Sequence, residues 1–230
     1  KFLKKYTREF FRAYKENYLE ASQTAFKTIE HELDENEKEY LKFFVESFKD
    51  FNSIDSWIGG SAVIGSTKWV EQALLDKKEI IGVLNLETIG YSSKMKGSQK
   101  SPSPIFKILP KYKVNLRKGR GDFIAIAGDK NSLELAKIFC KQCKKNAINL
   151  PYLNAALPFN YQFLAKYARD LLRSDNAPFQ RVGIPAVMIT DTANFRYPYY
   201  HTEADTIDKL DFEFIKKVTQ ATIATSLIYK

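Results

Sequence analysis

A chain of 230 residues, 44% hydrophobic and 14% aromatic, is long enough to bury a substantial core and too apolar for a disordered polymer. It has no apolar run of the roughly 18 residues that suggest a membrane span, so none is expected. Its 36 Lys and Arg against 27 Asp and Glu give a net charge of +9; taken as spread along the chain, that excess fits a solvated, lysine-rich surface better than a nucleic-acid groove.

From Lys1 to about Lys49, aromatic and aliphatic residues recur at three- and four-residue steps between charges, which predicts helix. An acidic break at Asp34–Glu37 separates FLKKYTREFFRAYKENYLEASQTAFKTIEHEL from a second helical run, EKEYLKFFVESFKDF. The Gly- and Ser-rich 52-NSIDSWIGGSAVIGS-66 predicts a loop, with Gly65-Ser66 opening the helix TKWVEQALL. Three apolar runs that end in polar residues then predict buried strands: IIGVLNLET (80–88), FIAIAGD (123–129) and IPAVMITDT (184–192). The helix NSLELAKIFCKQCKK follows the second strand. The loop NLPYLNAALP and the helix YQFLAKYARDLL precede the third, and DFEFIKKVTQATIATSLIY closes the chain as helix. Buried strands alternating with helices predict one α/β domain over 1–230, with a helical N-terminal segment at about 1–50 and helices on both faces of the sheet.

Ligands of such sheets bind beyond the carboxyl ends of the strands. That rule gathers Glu87, Asp129 and Asp191-Thr192 at one rim, from which the loop carrying His201 leaves. Glu87 and His201 form a mixed oxygen and nitrogen pair that suits zinc, and Asp175 in RSDNAPF is an available third acid, as a ligand or for proton transfer. Thr202 or Asp205 could bond the ring nitrogen that faces away from a metal. The bland alternatives are specific: Glu87 as a cap, Asp175 as a helix N-cap or turn residue, His201 bonded to backbone, and Thr206 or Asp208 as the start of the last helix. Cys140 and Cys143 share one helix face without the setting of a redox pair or a zinc ribbon and are expected to be plain thiols. The segment KILPKYKVNLRKGR (107–120) carries six basic residues and no acid, the one place suited to an anionic partner. The first residue is Lys, with no signal-like segment before it, as in a processed or trimmed chain.

Across roughly residues 59–228 the runs 82-GVLNLETIGYSS-93, GDFIAIAGD and 173-RSDNAPFQRVGIPAVMITDTANFRYPYYHTEADTIDKLD-211 resemble, in order and spacing, the C-terminal half of M28-family zinc aminopeptidases, which include glutaminyl cyclases. The resemblance implies a three-layer α/β/α sandwich around a mixed, mostly parallel sheet of eight strands. It implies that His201 is a zinc ligand and Glu87 a metal ligand or near neighbour, one or two ions being held in the family, and that Asp175 is an acidic active-site group; Asp205 is then the expected support of His201. The implied activity is release of an N-terminal residue from a peptide substrate, and the implied setting is extracytoplasmic or secreted. The family's H-x-D, D-D-N and Glu-Glu motifs are not found. Only DENEKEYLKFFVESFKDFNSIDSW stands where several strands and most of the metal site are expected. Omitted segments, a shortened metal-free relative and a rebuilt site each account for this. A zinc aminopeptidase-like hydrolase, a non-catalytic domain that binds peptides or partners, and a glutaminyl-cyclase-like acyltransferase all follow as readings.

Overall fold

The computed structural model describes residues 2–13, 18–47, 63–100 and 107–230, and these form two compact units, Lys1–Ile64 and Gly65–Lys230. The first contains helices α1 (Phe2–Ala13), α2 (Tyr18–Ile29) and α3 (Glu35–Ser47). Tyr6, Ala25, Ile29, Leu33 and Leu41 are its buried core, and the hydroxyls of Tyr6 and Ser22 satisfy each other inside it at 2.5 Å. The acidic break is a helix start. Asp34 Oδ1 accepts from Glu37 N at 2.8 Å and Glu37 Oε2 accepts from Asp34 N at 3.2 Å, a reciprocal capping box for α3. The loop expected over 52–66 lies, up to residue 62, outside the described residues.

The second unit contains α4 (Ile64–Leu75), β1 (Val83–Glu87), β2 (Lys111–Tyr112), β3 (Ile124–Gly128), α5 (Leu133–Cys143), β4 (Tyr152–Ala156), α6 (Tyr161–Tyr167), α7 (Asn176–Arg181), β5 (Ala186–Thr190) and α8 (Phe212–Ser226). The strands form one mixed sheet in the order β1-β5-β3-β4-β2. β1 with β5 and β3 with β4 are parallel, whereas β3 with β5 and β2 with β4 are antiparallel. Alternation along the strands divides the core into two layers. On one face Ile124, Ile126, Val187 and Ile189 pack with Leu135 and Phe139 of α5 and Phe214 and Val218 of α8. On the other, Ala186 meets Val70 of α4 and Phe179 of α7, and Ala125 and Leu153 pack with Phe123 and Leu171. Helices thus cover both faces, as expected of an α/β sandwich. Cys140 and Cys143 are free thiols buried in the α5 layer, and burial pushes Cys140 up to about 12, which keeps it an inert thiol.

Three expectations are revised. NLPYLNAALP is not only a loop: Tyr152–Ala156 is β4, paired in parallel with β3. The last helix is capped by neither Thr206 nor Asp208 but by Asp211, whose Oδ1 accepts from Phe214 N at 3.0 Å. Asp129 does not share a rim with Glu87, because β3 runs against β5 and Gly128 pairs with Val187 at the start of β5. There Asp129 is structural. Its Oδ1 accepts from the hydroxyl and the amide of Ser132, and the Ser132 hydroxyl in turn accepts from Ala186 N at 3.0 Å.

Burial raises the carboxyl of Asp129 above its ordinary value. A carboxyl raised in the folded state binds its proton more tightly there than in the unfolded chain, so stability falls as pH rises from the ordinary value through the raised one. Urea midpoints measured across acidic pH should show that decline for the native chain and a smaller decline for Asp129→Asn, which keeps an acceptor for Ser132 but cannot ionise.

Candidate functional site

The rim at the carboxyl ends of β1 and β5 is built by alternation. Asn85 and Glu87 sit two residues apart on the face covered by α7. Both reach Ser174, the residue pair Ser174-Asp175 leading into that helix. Asn85 Nδ2 donates to Ser174 Oγ at 2.9 Å and Ser174 Oγ donates to Glu87 Oε2 at 2.5 Å. Glu87 is half-buried, and its carboxylate is thereby tied to a hydroxyl that a second side chain holds in place.

Beside it the backbone is strained. Four of the seven described non-glycine residues with positive φ are here or on the loop that leaves: Thr88 at 48°, Thr192 at 80°, Ala193 at 45° and His201 at 57°. For β-branched threonine this conformation is a real outlier, of the kind that persists where surroundings over-determine it and that clusters at functional sites. The surroundings are hydrogen bonds. Asp191 N donates to Thr88 O at 2.7 Å, Thr192 N to Thr190 Oγ1 at 2.9 Å and Ala193 N to Asp191 Oδ1 at 2.9 Å. Asp191 is buried, and its second oxygen accepts from Tyr91 N at 2.8 Å. Burial raises its carboxyl above the usual range, opposed by those two backbone amides and by the charge of Arg196.

Arg196 is itself buried, stacked 4.7 Å from the ring centroid of Phe123. Its Nε donates to Gln99 Oε1 at 2.8 Å and its Nη1 to Tyr91 O at 3.2 Å. Burial lowers its pKa to about 10 against the pull of Asp191, Asp122 and Tyr91, so it stays charged at neutral pH. Asp191 and Arg196 therefore fix the Tyr91 segment and the loop after β5 to each other, one through the amide of Tyr91 and the other through its carbonyl.

The remaining predicted residues, Asp175, His201 and Asp205, are exposed. Asp175 occupies the N-cap position of α7, is exposed and caps nothing with its side chain. His201 is exposed, its ring edge-on to Tyr200 at 3.9 Å. Asp205 accepts from the Tyr197 hydroxyl at 2.6 Å, while the Thr202 hydroxyl donates to Tyr199 O. The Tyr197 ring lies 4.7 Å from that of Tyr91, and burial, then Asp205, push its phenol up to about 12. Ser174, Arg196 and Tyr197 escaped the sequence reading. The Asn85-x-Glu87 alternation was a usable signal for the first, and an arginine inside an aromatic run, NFRYPYY, for the others.

Residues 60–226 match the family described as Peptidase family M28. The chain belongs to peptidase family M28. It is 30% identical over 153 residues to the uncharacterized protein YfbL of Escherichia coli (strain K12), covering 64% of this chain and 40% of that one. Two structures of LapA from Legionella pneumophila, one described as an aminopeptidase, superpose with a TM-score of 0.49 at 16% and 17% identity, over 73% and 72% of this chain and 37% and 36% of theirs. The chain thus spans about two fifths of the length of these relatives.

M28 membership implies zinc, so the donors present must be tested against it. A structural site needs four protein ligands and a catalytic one three. Among the described residues no three His, Cys, Asp or Glu side chains are grouped so as to hold an ion. Glu87 is tied to Ser174, Asp205 to Tyr197, and Asp191 to two backbone amides. Among the described residues the donor set does not fit a complete zinc site.

Proposed function

We propose that this chain acts as a non-catalytic M28-type domain that binds peptides or protein partners without hydrolysing them. The observation that supports this reading is the engagement of the rim's acids in the protein's own hydrogen bonds, which leaves Glu87 an anchored acceptor instead of an open ligand. The edge of the sheet offers a place for an extended peptide. Among the described residues β1 pairs only with β5, its residues are half-buried or exposed, and Leu86 is 42% exposed. A strand of this kind recruits a partner strand through backbone hydrogen bonds, with alternate side chains giving selectivity.

The second reading, a zinc aminopeptidase-like or glutaminyl-cyclase-like enzyme, rests on Glu87 standing at the carboxyl end of a strand with the strained loop of His201 leaving the neighbouring strand. In it Glu87 and His201 would hold zinc, Asp175 would serve proton transfer and Asp205 would orient His201. Elemental analysis of the purified chain, with a panel of aminoacyl chromogenic substrates, separates the two. The non-catalytic reading expects zinc well below one ion per chain, no turnover, and no change in either for Glu87→Gln or His201→Ala. One zinc per chain that is lost in His201→Ala, with turnover abolished by a chelator, would falsify it.

A further inference from the structure

The net charge of this chain is not spread along it. Between Glu87 and Asp122 there is no acidic residue, while Lys94, Lys96, Lys100, Lys107, Lys111, Lys113, Arg117, Lys118 and Arg120 supply nine positive charges. The whole chain carries 36 basic and 27 acidic residues, so the rest holds 27 of each, and residues 88–121 account for the entire +9. A segregation this complete concentrates the field of the molecule on one segment.

The fold brings part of that segment together. Two turns, Lys94–Gly97 and Leu116–Gly119, are joined by hydrogen bonds from Gly97 N to Lys118 O at 3.0 Å and from Gln99 N to Gly119 O at 2.9 Å, with Ser93 bridged to Gly121. The backbones approach so closely that a Cβ on Gly119 would stand 3.3 Å from Gly97 Cα. Lys94, Lys96, Arg117 and Lys118 are all exposed on these paired turns. Met95 stands among them, 74% exposed. Elsewhere several lysines pair with acids, as Lys137 does with Glu134 and Lys216 with Glu213; the segment 88–121 contains no acid of its own.

We propose that this paired-turn cluster docks the protein on an acidic lipid surface. Seven of the nine cations in the segment are lysines, compact point charges that suit diffuse attraction to a headgroup layer, whereas bidentate reading of individual phosphates favours arginine. Clusters of four to eight basic residues carry that attraction, and an exposed apolar side chain among lysines can enter the boundary between headgroups and acyl chains. Attachment of this type is peripheral and needs no spanning helix; no described helix is long and apolar enough to span.

Sedimentation of the full chain with vesicles tests this. Binding is expected to vesicles of phosphatidylcholine containing about a third phosphatidylserine, to weaken steeply with salt, and to be absent from phosphatidylcholine alone. The variant Lys94→Glu/Lys96→Glu/Arg117→Glu/Lys118→Glu should bind on the order of several hundredfold or more weakly, since each cation near the surface contributes roughly fivefold. Lys137→Glu/Lys216→Glu should bind nearly as the native chain does, and an unchanged thermal midpoint in the fourfold variant shows that it is folded. Equal binding to both vesicle types, native-like binding by the fourfold variant, or retention on heparin or duplex DNA without binding to acidic vesicles would each overturn the proposal.

Discussion

Arg196→Ala is expected to cost about 3 kcal/mol or more of folding stability at neutral pH, because it removes two hydrogen bonds from a buried charged group, each worth roughly 1.5–3 kcal/mol. The urea midpoint should fall with little change in slope. The substitution does three things at once. It takes a cation away from the buried Asp191, strips the stack from Phe123, and removes the donor to Tyr91 O while leaving Gln99 Oε1 with only the Thr192 hydroxyl as donor among the described residues. The pH dependence isolates the first. With Arg196 gone, the Asp191 carboxyl rises further above its ordinary value. Stability of the variant should therefore drop more than that of the native chain as pH climbs through that raised range, and the difference between them should shrink toward acid, where Asp191 is protonated in both. Arg196→Lys should restore only part, because an ammonium cannot lie flat on Phe123 while bonding both acceptors. A loss under about 1 kcal/mol for Arg196→Ala would mean that the amides of Tyr91 and Ala193 hold Asp191 unaided.

The same pair shows what the sequence could and could not disclose. β3 and β5 were legible because each is an unbroken apolar run with both faces covered; β1, expected to be buried like them, is among the described residues a half-buried edge strand that carries Asn85. Strand direction was not legible. β3 looks like β1 and β5 in composition, yet it runs against β5, which moves Asp129 to the far rim. β4 was missed because Asn154, an acceptor for Ala156 N at 3.0 Å, interrupts the apolar run of Tyr152–Ala156, and Pro151 before it reads as loop. At the candidate site the motif letters were legible and the bonding was not. Glu87, Asp175, His201 and Asp205 stand out as acids and an imidazole in family-like words. That Ser174 would take Glu87 and Tyr197 would take Asp205 depends on how the loops fold over the rim. Charge was legible in part: the acid-free segment 107–120 stands out in the sequence, whereas its meeting with Lys94 and Lys96 depends on the two paired turns.

Gly121→Ala should cost about 2–3 kcal/mol, toward the upper part of what overpacking a filled site typically costs. Its φ raises no difficulty; the obstacle is space. A Cβ there would lie 2.7 Å from Arg196 Nε, 2.8 Å from its Cδ and 2.9 Å from its Cγ, separations that real Cβ atoms do not tolerate. A flexible surface arginine would swing aside. This one is buried between Phe123, Gln99 and Tyr91, so moving its stem sacrifices those contacts. Gly121 cannot retreat freely either, because its carbonyl accepts from Ser93 N at 2.8 Å and its amide donates to Ser98 Oγ at 3.0 Å. A double-mutant cycle turns this into a measurement. In the Arg196→Ala background the clashing atoms are gone, so adding Gly121→Ala should cost less than about 0.5 kcal/mol, the remainder appearing as coupling between the two sites. Additive losses would show that the cost of Gly121→Ala arises from its own backbone and not from the arginine packed against it.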